Sequence, residues 1–259
     1  METNDFAACE ETEEMEYILR WSKNAKQHFD DGDYDWLCNF INNHTGDVRG
    51  IVEIGCGAGY STLAFVQNHF NVVAIDIDPQ AVKATIQLME EHKTQSSIMT
   101  MQGDIIHQME EFLKQLRVIN FPIDVIVLCN PGGNFAPNIT VRESKLLQKF
   151  GFSENEINQK LLNGETPLLH KWALIYAASV LSKQLCKKLV IVERGNDARL
   201  RSTLEQIQDE TGARMIASDF REIRNEPEGG ILLGNADAVQ SWGAALYCPA
   251  EAILNQGDN

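Results

Sequence analysis

The chain has 259 residues, of which 44% are hydrophobic and 23% charged, with a formal net charge of −15. That length and balance suit one large α/β domain or two small ones with a sizeable buried core, and exclude a chain too polar to fold. The acidity disfavours a phosphate-tracking groove, because such grooves need clustered Lys and Arg; the densest basic stretch is "KQLCKKLV" at 183–190.

In chain order, residues 1–12 read as an acidic tail. They carry neither the basic nor the apolar region of a secretory signal, and no apolar run approaches the roughly 18–20 residues of a membrane span, so a cytoplasmic protein is expected. The six cysteines, Cys9, Cys38, Cys56, Cys129, Cys186 and Cys248, form no CxxC pair. This argues against a disulfide framework and against zinc, and no metal is expected. Helical spacing predicts a helix over 13–29, a break at "DDGD" (30–33) and a second helix over 34–44, with Trp36, Leu37, Phe40 and Ile41 on one face. Residues 13–45 thus form an N-terminal helical cap.

Strands and helices then alternate. Strands are predicted at 48–54, 71–77, 97–102, 123–129 and 187–193, and helices at 60–69, 78–92, 104–116, 166–185 and 197–210. Late strands follow at 213–223 and 242–250. Asp78 and Pro79 have the N-cap and first-turn types that open a helix, and "IDVIVLC" is a continuous apolar run of the kind buried on both faces of a sheet. The order predicts an open, mostly parallel sheet of seven strands with helices on both faces, Rossmann-like in arrangement, within a single domain over 13–259. Residues 131–165 interrupt it as a loop-rich insertion on the substrate side, with one short helix at 153–163.

Ligands of such sheets bind beyond the carboxyl ends of the strands. The first strand enters "VEIGCGAGYS" (52–61), which spaces its glycines as Glu53-x-Gly55-x-Gly57-x-Gly59; Tyr60 stands where the dinucleotide fingerprint would need its last glycine. The following strands end in "AIDID" (74–78), "QGD" (102–104) and "NPGG" (130–133). Together these strings resemble the class I S-adenosylmethionine-dependent methyltransferases over roughly residues 48–250. The resemblance implies that Gly55, Gly57 and Gly59 let the backbone approach the methionine part of S-adenosylmethionine, with Glu53 receiving its ammonium group. Asp76 would bind the ribose hydroxyls and Ile77 would pack on the adenine. Asp104 would either accept from the adenine amino group or cap a helix, Ile105 would line the same pocket, and Asn130 would close it. Cys56 reads as a small residue between glycines, not a nucleophile.

Asn130-Pro131 also resembles, in part, the Asn-Pro-Pro-aromatic signature of methyltransferases acting on planar nitrogens. There an Asn oxygen and a backbone carbonyl accept both N–H bonds of a conjugated amine. Gly132 and Gly133 replace the third and fourth positions, and Phe135 is the nearest aromatic; a plain Asn-Pro-Gly-Gly turn is the competing reading. Tyr34, Glu165 and His170 are candidate bases, with a structural role for His170 and a core or lid role for Tyr34 and Trp36 as alternatives. The expected activity is methyl transfer to a small-molecule, peptide or protein acceptor. The rivals are an adenine methyltransferase of nucleic acid, a dinucleotide-dependent oxidoreductase and a non-catalytic S-adenosylmethionine-binding module.

Overall fold

The computed structural model describes residues 22–93, 97–130, 138–195, 197–223 and 241–249; the acidic tail and the start of the first predicted helix lie outside them. Residues 22–30 are helical (α1), and α2 (Asp33–Thr45) follows a left-handed Gly32. Strands β1 (Gly50–Ile54), β2 (Asn71–Asp76), β3 (Ile98–Gln102), β4 (Val125–Cys129) and β5 (Lys188–Gly195) alternate with helices α3 (Tyr60–Gln67), α4 (Pro79–His92), α5 (Met109–Arg117) and α8 (Thr166–Leu185). Between β4 and α8 lie α6 (Val141–Lys149) and α7 (Glu154–Leu162); α9 (Asp197–Thr211), β6 (Arg214–Glu222) and β7 (Ser241–Cys248) complete the fold.

The seven strands run in the order β3-β2-β1-β4-β5-β7-β6. β1 to β5 are mutually parallel, and β7 is antiparallel to both β5 and β6. The edge strand β6 has a register irregularity between Met215 and Ala217, of the kind that blunts an open edge. Every residue of β1 and of β4 is buried, as the apolar runs require of strands covered on both faces. On one face Phe112, Leu147, Ile157, Trp172, Tyr176 and Leu204 draw α5 to α9 into one core. On the other, Leu37, Ile41, Phe65, Met89 and Trp242 gather α2, α3 and α4.

The insertion differs from expectation. It has two helices, each opened by a reciprocal capping box: Thr140 with Glu143, and Ser153 with Glu156. Leu147 and Ile157 anchor both in the α8 core, where Phe150 stacks on Tyr176 with ring centroids 4.2 Å apart. Residues 138–165 therefore pack against α8. Residues 131–137, with Pro131, Gly132, Gly133 and Phe135, lie outside the described residues.

Candidate active site

Strand order reverses between β1 and β4, where β2 turns off to one side and β5 to the other. Crevices of open sheets form at such a reversal, and the glycine loop sits there. Its start is tied to β2: the N–H groups of Gly55 and Cys56 both donate to the Ile75 carbonyl, at 2.7 and 3.1 Å. Gly55 has φ +80° and only open space where a side chain would project, whereas a Cβ on Gly59 (φ +83°) would come within 2.8 Å of the Thr85 backbone. Gly55 thus leaves room at the strand tip, and Gly59 lets α3 pack on α4.

Glu53 is fully buried below the loop. Its two oxygens accept from the Ser61 and Thr62 hydroxyls, each at 2.5 Å. Burial pushes its carboxyl up to about 7; the two hydroxyl bonds oppose the shift and the Asp76 charge adds to it. Glu53 thereby braces the loop onto the first turn of α3. Asp76, at the tip of β2, accepts from the Gly57 N–H at 2.8 Å and from the Asp78 N–H at 3.0 Å. Burial raises its carboxyl above the usual range, against these N–H bonds. Asp78 caps α4 by accepting from the Gln80 N–H. Ile77 is 52% exposed between the two carboxylates, an apolar platform open to whatever lies beside β2.

At the tip of β3, Asp104 caps the turn over 105–107, accepting from the Ile106 N–H at 2.8 Å, and its other oxygen meets His107 Nδ1 at 2.6 Å. Ile105 is buried beside it. His107 Nε2 lies 3.0 Å from the Thr140 hydroxyl, so the insertion is fastened to this loop.

A cleft opens between the glycine loop and the N-terminal helices. Its walls include His28 of α1, Tyr34 of α2, Gly55, Tyr60, Asn130 and Arg194. Asn130 follows β4 with φ +46°, an uncommon conformation for a residue other than glycine. Its N–H donates to the Val192 carbonyl at 2.9 Å, while its buried side-chain oxygen has no hydrogen-bond partner among the described residues. An orphaned buried acceptor is costly unless something fills it. Cys56 and Cys129 also line the cleft, but burial holds both thiols well above their ordinary values, which leaves them protonated and inert.

Tyr34 is brought to this cleft, whereas Trp36 turns away and donates its indole N–H to Asp219 of β6 at 2.9 Å. His170 is buried in α8, with Nδ1 2.5 Å from Glu143, and is not among the cleft's described walls. Burial opposes ionisation of Glu143, yet hydrogen bonds from His170 and Thr140 together hold its carboxyl below the usual value. His170 and Glu143 are therefore a buried hydrogen-bonded pair that joins α8 to α6. Glu165 pairs with Lys160 at 2.7 Å and is likewise not among the cleft's described walls. Sequence reasoning passed over His28, Asp33, Arg194 and Arg221. His28 Nδ1 lies 2.7 Å from Asp33, and the other oxygen of Asp33 accepts from Arg221 Nε at 2.5 Å. The close spacing of His28 and Asp33 across the "DDGD" break was the only local trace of this set.

Residues 51–130 match the family model described as "Methyltransferase domain". Among solved structures, the chain is similar to a Pyrococcus horikoshii protein described as a candidate RNA methyltransferase, at 12% identity over 85% of this chain and 82% of that one, with a TM-score of 0.50. It is also similar to the N-methyltransferase NodS of Bradyrhizobium japonicum in complex with S-adenosylhomocysteine, at 16% identity over 86% and 88% of the two chains, with a TM-score of 0.47. The first likeness is one of fold. No curated protein matches the chain by sequence. Among the described residues no cluster of His, Cys, Asp or Glu is placed to hold a metal ion, and no helix is long and apolar enough to cross a membrane.

Proposed function

We propose that this chain, whose residues 51–130 are a methyltransferase domain on the class I, S-adenosylmethionine-dependent fold, methylates a small-molecule, peptide or protein acceptor held between the N-terminal helices and the glycine loop. The observation that carries the reading is the Asn130 oxygen, buried and without a hydrogen-bond partner among the described residues, in a cleft that the glycine loop also lines. The residues present fit the cofactor. Asp76 can accept from a ribose without giving up the Gly57 N–H, since a carboxylate has about four lone-pair sites. Exposed Ile77 offers an apolar face for adenine, and the space before Gly55 admits the amino-acid end. Asp104, already engaged with its own turn and with His107, serves the adenine edge through the placement of Ile105 and the loop backbone. Glu53 acts through the loop it braces.

When bound, S-adenosylmethionine supplies a methyl carbon activated by its sulfonium. The chain's part is then positioning, which is worth much of the rate in a displacement of this kind. Asn130, next to Pro131, accepts an N–H from the acceptor and fixes the direction of its lone pair. Tyr34 walls the same space.

Calorimetric titration with S-adenosylmethionine and S-adenosylhomocysteine tests this. Both bind at micromolar level, and Asp76→Ala weakens them at least about tenfold, the loss expected for hydrogen bonds to a charged group. Unchanged affinity in that variant would remove the site assignment. A labelled-methyl assay over amides, amines, phenols, peptides and RNA then sorts the acceptor classes, and RNA as the sole acceptor would favour the nucleic-acid reading.

A further inference from the structure

The brace below the glycine loop meets the cleft at one residue. Ser61, in the first turn of α3, lines the cleft with Gly55 and Asn130. Its hydroxyl lies 2.5 Å from one Glu53 oxygen and has no other hydrogen-bond partner among the described residues. Thr62 holds the other Glu53 oxygen at 2.5 Å and is fully buried. The titratable groups that face Glu53 are Asp76 of β2 and the thiols of Cys38 on α2, Cys56 in the loop and Cys129 on β4. Burial holds each thiol well above its ordinary value, so Asp76 is the charge that acts on Glu53, and it is repulsive. Arg194 and Glu193 of β5 act on Cys129 in turn.

This geometry has a chemical consequence. A carboxylate only accepts, so an ionised Glu53 takes the protons of both hydroxyls. The Ser61 oxygen is then left with lone pairs alone. A neutral Glu53 carries a proton that one of the two hydroxyls must accept. Thr62, fully buried and not on the cleft wall, would be left with a buried donor, which is costly. Ser61 can take the proton and turn its own toward the cleft. One buried proton therefore sets the character of the cleft wall at Ser61, which accepts when Glu53 is ionised and donates when Glu53 is neutral. Burial, opposed by the two hydroxyl bonds and helped by Asp76, pushes the Glu53 carboxyl up to about 7, so both forms are populated near neutral pH.

We propose that binding of the cofactor's amino-acid end expels this proton from Glu53. The inference rests on the methyltransferase reading above and adds a proton linkage to it. An ammonium group donates only. It selects the form in which Ser61 accepts, and its charge favours an ionised carboxyl behind that hydroxyl. The ammonium keeps its own protons and shares one with Ser61 Oγ, while the Glu53 proton leaves to water. Glu53 is thus a positioning residue that acts through Ser61, and the chain holds its cofactor less tightly in acid.

Calorimetric titration of the full chain with S-adenosylhomocysteine at pH 6.5, in phosphate and in imidazole buffer, measures the proton, because the buffer that takes it up adds its own ionisation enthalpy. Release of roughly half a proton or more per ligand is expected, with affinity rising roughly fivefold from pH 6 to pH 7.5. Glu53→Gln, which has no proton to lose, should show neither. Infrared difference spectra of the wild-type chain labelled with ¹³C-glutamate give the same reading without a variant. The C=O band of a neutral glutamate carboxyl should vanish when S-adenosylhomocysteine is added at pH 6.5. Binding without proton release overturns the proposal and leaves the cofactor reading intact. So does release that persists undiminished in Glu53→Gln, since it would then belong to Asp76. S-adenosylhomocysteine that fails to bind removes the cofactor reading itself, and the proposal with it.

Discussion

Glu53 and Asp76 show how one carboxylate can be spent on architecture while its neighbour is left available. Both sit at strand tips beside the glycine loop, but Glu53 is wholly enclosed and has a hydroxyl on each oxygen, whereas Asp76 is half-buried and accepts from two backbone N–H groups, that of Gly57 in the loop and that of Asp78 in its own turn. The raised Glu53 carboxyl couples this to pH. The folded chain takes up a proton that the unfolded chain lacks between the ordinary glutamate value of 4.5 and the folded value of about 7. Stability from this group is thus fullest below the lower value, falls as pH rises through the interval and is flat above it. Glu53→Gln, neutral at every pH, should flatten that decline, which amounts to on the order of 3 kcal/mol; urea titrations at several pH values across this range measure it. A decline of the same slope in the variant would mean that Asp76, shifted in the same direction, carries it instead.

At the scale of elements, the sheet was the legible part. "IDVIVLC" and "NVVAIDI" announce buried strands because nothing polar interrupts them, and α8 runs over the predicted 166–185. Helix α6 was missed because its apolar content is thin: Leu147 is buried while Val141 is 73% exposed. Its signal was the capping box Thr140-x-x-Glu143, not periodicity. Helix α5 starts at Met109 instead of 104 because Asp104 spends its carboxylate on a separate turn. Asp76 could be found from its place before Asp-Pro, but His28 and Asp33 acquire meaning only through Arg221, which no local pattern joins to them. The same is true of Lys171 and Glu193, an ion pair 1% exposed at each end that ties α8 to the end of β5, next to Arg194 in the cleft. Burial lowers the Lys171 ammonium's affinity for its proton, and Glu193 restores part of it. Lys171→Met should destabilise the fold by roughly 3–5 kcal/mol through the stranded Glu193 charge, and Lys171→Met with Glu193→Leu should recover most of that loss. Thermal unfolding of the two variants decides it; equal losses would show that packing at β5, and not charge, is limiting.

For the molecule as a whole, the charge of −15 disfavours association with polyanions. The N-terminal helices are held to the far edge of the sheet by Asp33 to Arg221 and Trp36 to Asp219, so β6 supports the roof of the cleft without lining it. Arg221→Ala should speed amide exchange in residues 22–30 while exchange in β1 and β4 stays slow; equal protection in both proteins would show that α1 is held by its apolar contacts alone. The Asp33 to Arg221 bond joins residues 188 positions apart. A chain still being made on the ribosome, with β5 emerged and β6 not yet translated, already has its glycine loop, Asp76 and Asn130, and holds its first helices only through their contacts with α3 and the first strands. The glycine loop and its strands are complete before the bonds that tie α2 to β6 can form.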